Sequence, residues 1–206
     1  MWFIGHIAFA YVIVKCLVLG KRFRPDFLIL LFFFSNLIDF VHFGWTRVLS
    51  HNLFAGILIP VVFLLALYKP LKISRKNSIL LFIAGVSHMM ADTLFGTFSW
   101  LFPFSIYEFS LIPFNISADL ITESVLALVF ISFLFLSGEA KSITSKPLGH
   151  PAYKWIMAAL FVMFIVQLVG YVWINLAFML DWYVPLLFVL MVVFVSWFGI
   201  ALKKQL

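Results

Sequence analysis

The sequence predicts an all-α membrane protein, a polytopic bundle of about seven transmembrane helices. Three observations support this prediction. Of the 206 residues, 65% are hydrophobic and only 11% are charged, whereas ordinary globular chains are about 45–50% apolar and about 25% charged. Seven apolar runs each have the roughly 17–25 residues that cross a bilayer core. The basic residues fall in alternate links between these runs, as they do in multi-pass proteins.

The predicted spans follow one another with short links. They are residues 3–20, 26–44, 51–68, 79–101, 119–137, 154–178 and 183–202. The first run has no basic residue before it and no A-x-A pattern after it, so we expect a retained span rather than a cleaved signal peptide. Because the links are short, we expect a single integral membrane domain covering 1–206.

The links define the orientation. Twelve of the fourteen Lys and Arg residues flank the links after spans one, three and five or end the chain: Lys21, Arg22, Arg24, Lys69, Lys72, Arg75, Lys76, Lys141, Lys146, Lys154, Lys203 and Lys204. The opposite side has only Arg47, and Lys15 lies close enough to the basic end of span one to extend its ammonium group to the surface. Since Lys and Arg in short loops mark the cytoplasmic side, we expect N-out, C-in.

This topology also explains the net charge of +6. The positive charge comes from basic residues that determine the orientation of the spans. We therefore expect the lipid bilayer as the partner of this protein, and no nucleic acid.

Ionisable side chains inside the spans predict a functional site, because they are costly in lipid. The topology places six of them in the extracytoplasmic half: His6, Asp39, His42, His51, His88 and Asp92. Asp39 and His42 are three residues apart and His88 and Asp92 four, so each pair shares one helix face. Imidazole and carboxylate groups are ligands of zinc and similar ions. The sequence therefore predicts a divalent-metal site of one or two ions, with zinc preferred.

Several of these residues also fit other roles. A single histidine at a helix end, such as His6 or His51, is typical of the membrane interface. His42 fits a hydrogen-bond partner of a metal ligand as well as a ligand. Asp119 and Glu123 fit a charged helix N-terminus as well as the site, and Glu123 lies one turn deeper.

Four short stretches resemble a known family. The segments SHMMAD at 87–92 and WLFPFS at 100–105 resemble the S-H-x-x-x-D and W…P-F-S signatures of the YdjM-like membrane-bound metal-dependent hydrolases. The pair GH at 5–6 is similar to the family's amino-terminal Gly/Thr-His. The segment DFVH at 39–42 is similar to its D-x-D-H, and RVLSHN at 47–52 to its R-G-x-T-H-S.

The resemblance is limited to residues 5–105, the motif-bearing part of the chain, and the later spans at 119–202 carry none of these motifs. Val41 stands where the pattern has a second Asp, Thr46 where it has a further His before Arg47, and Asn52 where it has Ser. The chain therefore has fewer candidate ligands than the family pattern.

We interpret the chain as a membrane-embedded metal-dependent hydrolase of the cell membrane, with its site in the extracytoplasmic half. The first choice of metal ligands is His6, His51, His88 and Asp92. A zinc ion that keeps an open coordination position activates water for hydrolysis.

Three further residues complete the predicted catalytic set. Asp39 and His42 would complete a second metal site, or act as general base and orienting partner. Arg47 would bind an anionic group of the substrate, because its guanidinium suits phosphate or carboxylate; it also fits an interfacial anchor. The expected substrate is an anionic lipid or lipid-linked ester or phosphoester, with the aromatic segment 98–104 covering the site.

Two other functions fit the same residues. A divalent metal-ion transporter also carries His and Asp ligands on its spans, near the midplane and reached from both sides. A non-catalytic membrane subunit would use a closed structural metal site to hold its helices together.

Overall fold

The computed structural model describes residues 2–41, 49–95, 101–102, 104, 116–175 and 181–206, and the regular secondary structure of this part is entirely helical. The elements in chain order are α1 (Phe3–Leu17), α2 (Pro25–Ser35), a 3₁₀ turn (Asp39–Val41), α3 (Leu53–Tyr68), α4 (Arg75–Phe95), α5 (Ile116–Leu136), α6 (Glu139–Ser145), α7 (Ala152–Asn175) and α8 (Tyr183–Gln205).

Four of the described helices, α4, α5, α7 and α8, are long and apolar enough to cross a membrane. Helices α1, α2 and α3 are apolar but have only 15, 11 and 16 residues. At 1.5 Å per residue α2 extends about 16 Å, roughly half of a bilayer core. The all-helical membrane architecture is therefore supported, but the prediction of one continuous helix over 26–44 is wrong.

Two polar side chains end α2 early. The Ser35 hydroxyl and the Asn36 amide both donate to the Phe32 carbonyl, each at 3.0 Å. Side chains that bond to nearby backbone in this way compete with continuation of a helix. The next residues, Leu37 and Ile38, are buried, which is where a membrane protein tolerates non-helical backbone. The break brings Asp39 onto a 3₁₀ turn instead of a long helix.

The short helix α6 lies in the link after the fifth predicted span. Its first residue, Glu139, is buried and accepts hydrogen bonds from the Tyr11 hydroxyl at 2.6 Å, the Lys15 ammonium at 2.6 Å and the Phe23 N–H at 2.7 Å. Lys15 is thus paired with a buried carboxylate, and its ammonium also donates to the Lys21 carbonyl in the basic link at 2.8 Å.

The links that carry the basic residues meet at one end of the bundle, the basic end. The Asp26 carboxylate at the start of α2 accepts from the Gly149 N–H before α7 at 3.1 Å. The Gln205 amide at the end of α8 donates to the Ile143 carbonyl of α6 at 2.8 Å. These contacts join segments far apart in the sequence, so the charged links lie together.

The opposite end, the site end, joins the starts of α1, α5 and α8. The Trp2 N–H donates to Glu123 of α5 at 2.8 Å, and the Tyr183 hydroxyl of α8 donates to the Ser117 hydroxyl of α5 at 2.8 Å. Helices that start at this end finish at the basic end, so successive long helices alternate in direction.

Phenylalanine rings fill the centre of the bundle. Phe3 of α1 stacks on Phe164 of α7 with centroids 4.6 Å apart. Phe194 of α8 lies 5.5–5.8 Å from the rings of Phe164, Phe130 and Phe32. These rings join α1, α2, α5, α7 and α8 into one apolar core.

Helices α3 and α4 cross closely at two glycines. A Cβ at Gly85 of α4 would lie 2.7 Å from Pro60 Cγ of α3, and a Cβ at Gly56 of α3 would overlap the Met89 side chain. Small residues at such a crossing let the backbones of membrane helices approach. This crossing sets the position of α3 relative to the residues that α4 carries.

Candidate metal centre

Five predicted ligands come together at the site end, from four separate segments. His6 is in the second turn of α1, Asp39 begins the 3₁₀ turn, His51 precedes α3, and His88 and Asp92 share one face of α4. All except the half-buried Asp39 are buried. The helical repeat places His88 and Asp92 on one face of α4. Only the packing of the helices brings the four segments together.

The ligand atoms of these five residues are 3.3–3.8 Å apart across the cluster. Asp92 Oδ2 lies 3.3 Å from both His51 Nε2 and His88 Nε2, and Asp92 Oδ1 lies 3.5 Å from His6 Nε2. Asp39 Oδ1 lies 3.5 Å from His88 Nε2 and 3.8 Å from His51 Nε2. Two triads, His6–Asp39–His88 and His51–His88–Asp92, have their ligand atoms within 4.8 Å of one another.

The five nitrogen–oxygen distances of 3.3–3.8 Å are longer than the about 2.7–2.9 Å of a hydrogen bond between a charged nitrogen and a carboxylate. Ligand atoms bound tetrahedrally to zinc at about 2.0–2.2 Å are roughly 3.3–3.6 Å from one another. The donor set of three imidazoles and two carboxylates is also the one that zinc accepts.

The orientation of the His88 ring supports the same interpretation. His88 Nδ1 lies 2.9 Å from the Ser35 carbonyl, and a carbonyl can only accept, so Nδ1 carries the proton. In the neutral ring, Nε2 then has a free lone pair directed into the cluster. This buried Nε2 has no hydrogen-bond partner among the described residues. A bound cation would satisfy it.

His51 is held by its own neighbours. Its Nδ1 lies 2.9 Å from the Ser50 hydroxyl. Asn52 accepts from the Ala55 N–H at 2.9 Å and donates to the Leu49 carbonyl at 2.8 Å, so its side chain is the N-cap of α3. Asn is as good a cap as the Ser of the family pattern, so this departure keeps the helix start that positions His51.

The His6 and His88 rings stack, with centroids 3.7 Å apart and planes 13° apart. Both rings belong to the triad His6–Asp39–His88, and the two oxygens of Asp92 lie near His6 and His88 respectively.

Glu123 fixes the helix that carries His6. Its carboxylate is fully buried and accepts from the Trp2 N–H at 2.8 Å and the Gly5 N–H at 3.0 Å. A Cβ at Gly5 would lie 2.7 Å from Glu123 Oε1, so the contact needs glycine there. Glu123 thus satisfies N–H groups at the start of α1 and lies outside the two triads.

Gln167 of α7 joins Asp39 to α1. Its amide nitrogen lies 3.4 Å from Asp39 Oδ2, and its amide oxygen accepts from the Phe3 N–H at 2.9 Å. Asp39 and Gln167 also line a cavity of about 800 Å³ between the 3₁₀ turn and α7. Among the described residues, Asp39 is therefore the member of the cluster that lines this cavity.

Some predicted site residues are elsewhere or outside the described part. His42 and Arg47 fall outside the described residues, as does most of the aromatic segment 98–104. Asp119 is in the first turn of α5, the position of a charged helix N-terminus. Of the aromatic segment, Phe104 contacts the start of α3 through Phe54, with ring centroids 6.2 Å apart.

Sequence reasoning missed two residues that shape the site, Ser35 and Gln167. The signal for Gln167 was present, since it is a polar amide near the middle of an apolar span. Ser35 acts through its backbone carbonyl, which a side-chain pattern does not reveal.

Searches of protein-family models, of curated proteins and of solved structures find no match to this chain. The family resemblance that we infer from the motifs stays a prediction.

Proposed function

We propose that this protein is a membrane-embedded metal-dependent hydrolase that acts on an anionic, membrane-associated ester or phosphoester. The observation that carries the proposal is the convergence of three imidazoles and two carboxylates at 3.3–3.8 Å. It includes a buried imidazole nitrogen without a hydrogen-bond partner in the described part. Charged and imidazole groups at membrane depth indicate function by default.

One ion would be held by His51, His88 and Asp92, whose ligand atoms lie within 4.8 Å of one another. His6, Asp39 and His88 are the other triad that could hold an ion, and the two triads share His88. Zinc is the preferred metal for this donor set. A bound zinc ion supplies Lewis acidity and activates water at neutral pH.

Other residues of the protein would orient the metal ligands and bind the substrate. The Ser35 carbonyl holds the His88 ring in the tautomer that a ligand needs. Asp39 lies where the cluster meets the cavity, a position suited to a ligand that also accepts a proton during hydrolysis. From the sequence we assign His42 to a partner role beside Asp39, and Arg47 to binding the substrate's negative charge.

The opening beside Asp39 favours an enzyme over a structural metal site. A structural zinc site is closed by four protein ligands, whereas a catalytic site keeps an open position. Asp39 lines a cavity of about 800 Å³, within the range of ligand pockets. This side of the cluster is therefore accessible to a substrate.

We propose seven spans, with the N-terminus outside, the C-terminus in the cytoplasm and the site end facing the exterior of the cell membrane. The separation of the basic end from the site end supports this orientation, because short basic loops stay in the cytoplasm. The half-length α2 and its 3₁₀ turn would together form the second span.

Metal content and hydrolysis, measured on the same purified samples, test this function. Asp92→Ala removes the carboxylate whose oxygens lie 3.3–3.5 Å from His6, His51 and His88. Bound zinc and turnover of lipid esters or phosphoesters should therefore be lost together. Asp26→Asn, at the basic end, is the matched control and should keep both. Arg47→Ala should keep zinc and lower turnover by about 10²-fold, as loss of one charge-stabilising donor does.

Two outcomes would contradict the proposal. Zinc flux into wild-type vesicles that depends on Asp92, without hydrolysis of any ester offered, would indicate a transporter. Zinc that stays bound in an inactive wild type, with Asp92→Ala failing to fold, would indicate a structural subunit.

A further inference from the structure

The cavity beside Asp39 is a groove along the outer surface of α7. Ala159, Val162 and Val166 line it along the helix, and Trp155 lies at its end nearest the basic end. From Trp155 to Gln167 α7 rises about 18 Å. The groove is therefore long, and its polar residues Asp39 and Gln167 lie toward the candidate metal centre, with Ile174 beyond them.

The groove opens sideways, toward the surroundings of the bundle. Trp155 is 77% exposed, and Val162 and Val166 are each 62% exposed. On a helix that is long and apolar enough to cross a membrane, such side chains face hydrocarbon. The bilayer is therefore the reservoir from which the groove is filled.

The polarity of the groove matches one orientation of a lipid. Its polar groups, Asp39 and Gln167, lie toward the site end, with Ile174 beyond them and the longer apolar wall extending from them toward the basic end. A lipid in the leaflet at the site end has its head group at that end and its chains directed toward the bilayer centre. It would enter the groove without turning over.

We propose that the groove between the 3₁₀ turn and α7 binds one hydrocarbon chain of a membrane lipid, which enters laterally from the bilayer and presents its ester or phosphoester linkage to Asp39. This inference rests on the proposed hydrolase function for the reaction at its inner end. Hydrolysis there adds the oxygen of water to the acyl carbon or phosphorus. The bond to the leaving oxygen breaks, and that oxygen takes a proton from the water.

A photoreactive lipid tests the groove independently of catalysis. The full-length protein in nanodiscs is irradiated with phosphatidylglycerol that carries a diazirine on one acyl chain, and labelled peptides are mapped by mass spectrometry. Labelling should concentrate on the α7 peptide with residues 155–166. Ala159→Trp fills the groove from an exposed position, so it should lower that labelling about tenfold, as a steric change in an apolar pocket does.

The matched control is Val169→Trp, which adds the same ring to the same helix at a position 64% exposed and outside the groove lining. It should leave labelling unchanged. Even labelling of all lipid-facing helices, or equal effects of the two tryptophans, would overturn the proposal.

A second readout separates the two proposals. With dibutyryl and dioleoyl phosphatidylglycerol as substrates, Ala159→Trp should lower the ratio of long-chain to short-chain hydrolysis. An unchanged ratio in an active, zinc-containing variant overturns the groove and leaves the hydrolase standing. A wild type without zinc or hydrolysis, but with labelling confined to the groove, overturns the hydrolase alone.

Discussion

At the scale of single residues, the site depends on groups that satisfy one another across helices. The Ser35 carbonyl is at the end of α2, where carbonyls have no partner within the helix, and the His88 ring supplies its donor. Glu123 does the same for N–H groups at the start of α1. Each contact removes a buried unsatisfied group and also fixes the helix that carries a candidate ligand.

The first residue-scale prediction concerns Glu123. Glu123→Ala leaves the Trp2 N–H without its acceptor and the Gly5 N–H with only the Trp2 carbonyl, so the free energy of unfolding should fall by about 1–3 kcal/mol. Zinc affinity should fall as well, because α1 carries His6. Glu123→Gln keeps one amide oxygen as acceptor and should lose less. Thermal unfolding in detergent and zinc titration against a competing chelator measure the two effects.

Asp119→Ala is the control for this prediction, since it removes a carboxylate from the same helix one turn earlier. Asp119 Oδ1 has no hydrogen-bond partner among the described residues, so the loss should be smaller. Equal losses in Glu123→Ala and Asp119→Ala would show that the hydrogen bonds from α1 to Glu123 do not account for the loss of stability and zinc affinity.

At the scale of elements, two irregular features position the ligands. The early end of α2 lets Asp39 turn toward α4, which a continuous helix over 26–44 would not allow. The close crossing of α3 on α4 places His51, just before α3, within 3.3 Å of Asp92. The geometry of the site therefore depends on one helix stop and one helix crossing.

The crossing gives the element-scale prediction. In Gly85→Ala the new Cβ would lie 2.7 Å from Pro60 Cγ, so α3 must move away from α4, at a cost of about 1–3 kcal/mol. His51 should move with α3, and zinc affinity should fall together with the midpoint of thermal unfolding.

Gly170→Ala is the matched substitution. Its Cβ would meet only Trp2, at 3.8 Å, an ordinary contact. Alanine is about 1 kcal/mol more favourable than glycine inside a helix, so this variant should be as stable as the wild type or more stable. A Gly85→Ala protein that binds zinc like the wild type would contradict the role of the crossing.

At the scale of the whole molecule, the bundle keeps two kinds of polar group at opposite ends. The basic links lie together around Asp26 and Glu139, and the five candidate ligands His6, Asp39, His51, His88 and Asp92 lie at the other end, with a phenylalanine core between them. This polarity is what a membrane requires, since short basic loops stay on the cytoplasmic side.

The whole-molecule prediction is a reporter experiment. A fusion after Leu206 should report the cytoplasm, and an insertion near Ile112 should report the exterior, because three predicted spans separate the two positions and the basic loops are cytoplasmic. Alkaline phosphatase and fluorescent-protein fusions measure the two sides. The same side for both positions would refute seven spans with this orientation.

Much of the site follows from the sequence alone. The need for a lipid environment follows from composition, because 65% hydrophobic residues exceed what a water-soluble chain of this size buries. The identity of His6, Asp39, His51, His88 and Asp92 as candidates follows from the cost of ionisable groups in apolar spans. Both arguments use only the chemistry of each residue and its depth.

Only the tertiary structure decided how these parts meet. Helix rotation and crossing are set by packing between segments far apart in the chain, so the sequence could not place Glu123 on α1, pair Lys15 with Glu139 or bring Gln167 to Asp39. It also could not reveal that α2 stops at Ser35, because the apolar run continues and the competing hydrogen bonds are local. The depth of a residue in the membrane and its side-chain chemistry can be read from the sequence. Whether distant residues meet depends on how the helices pack.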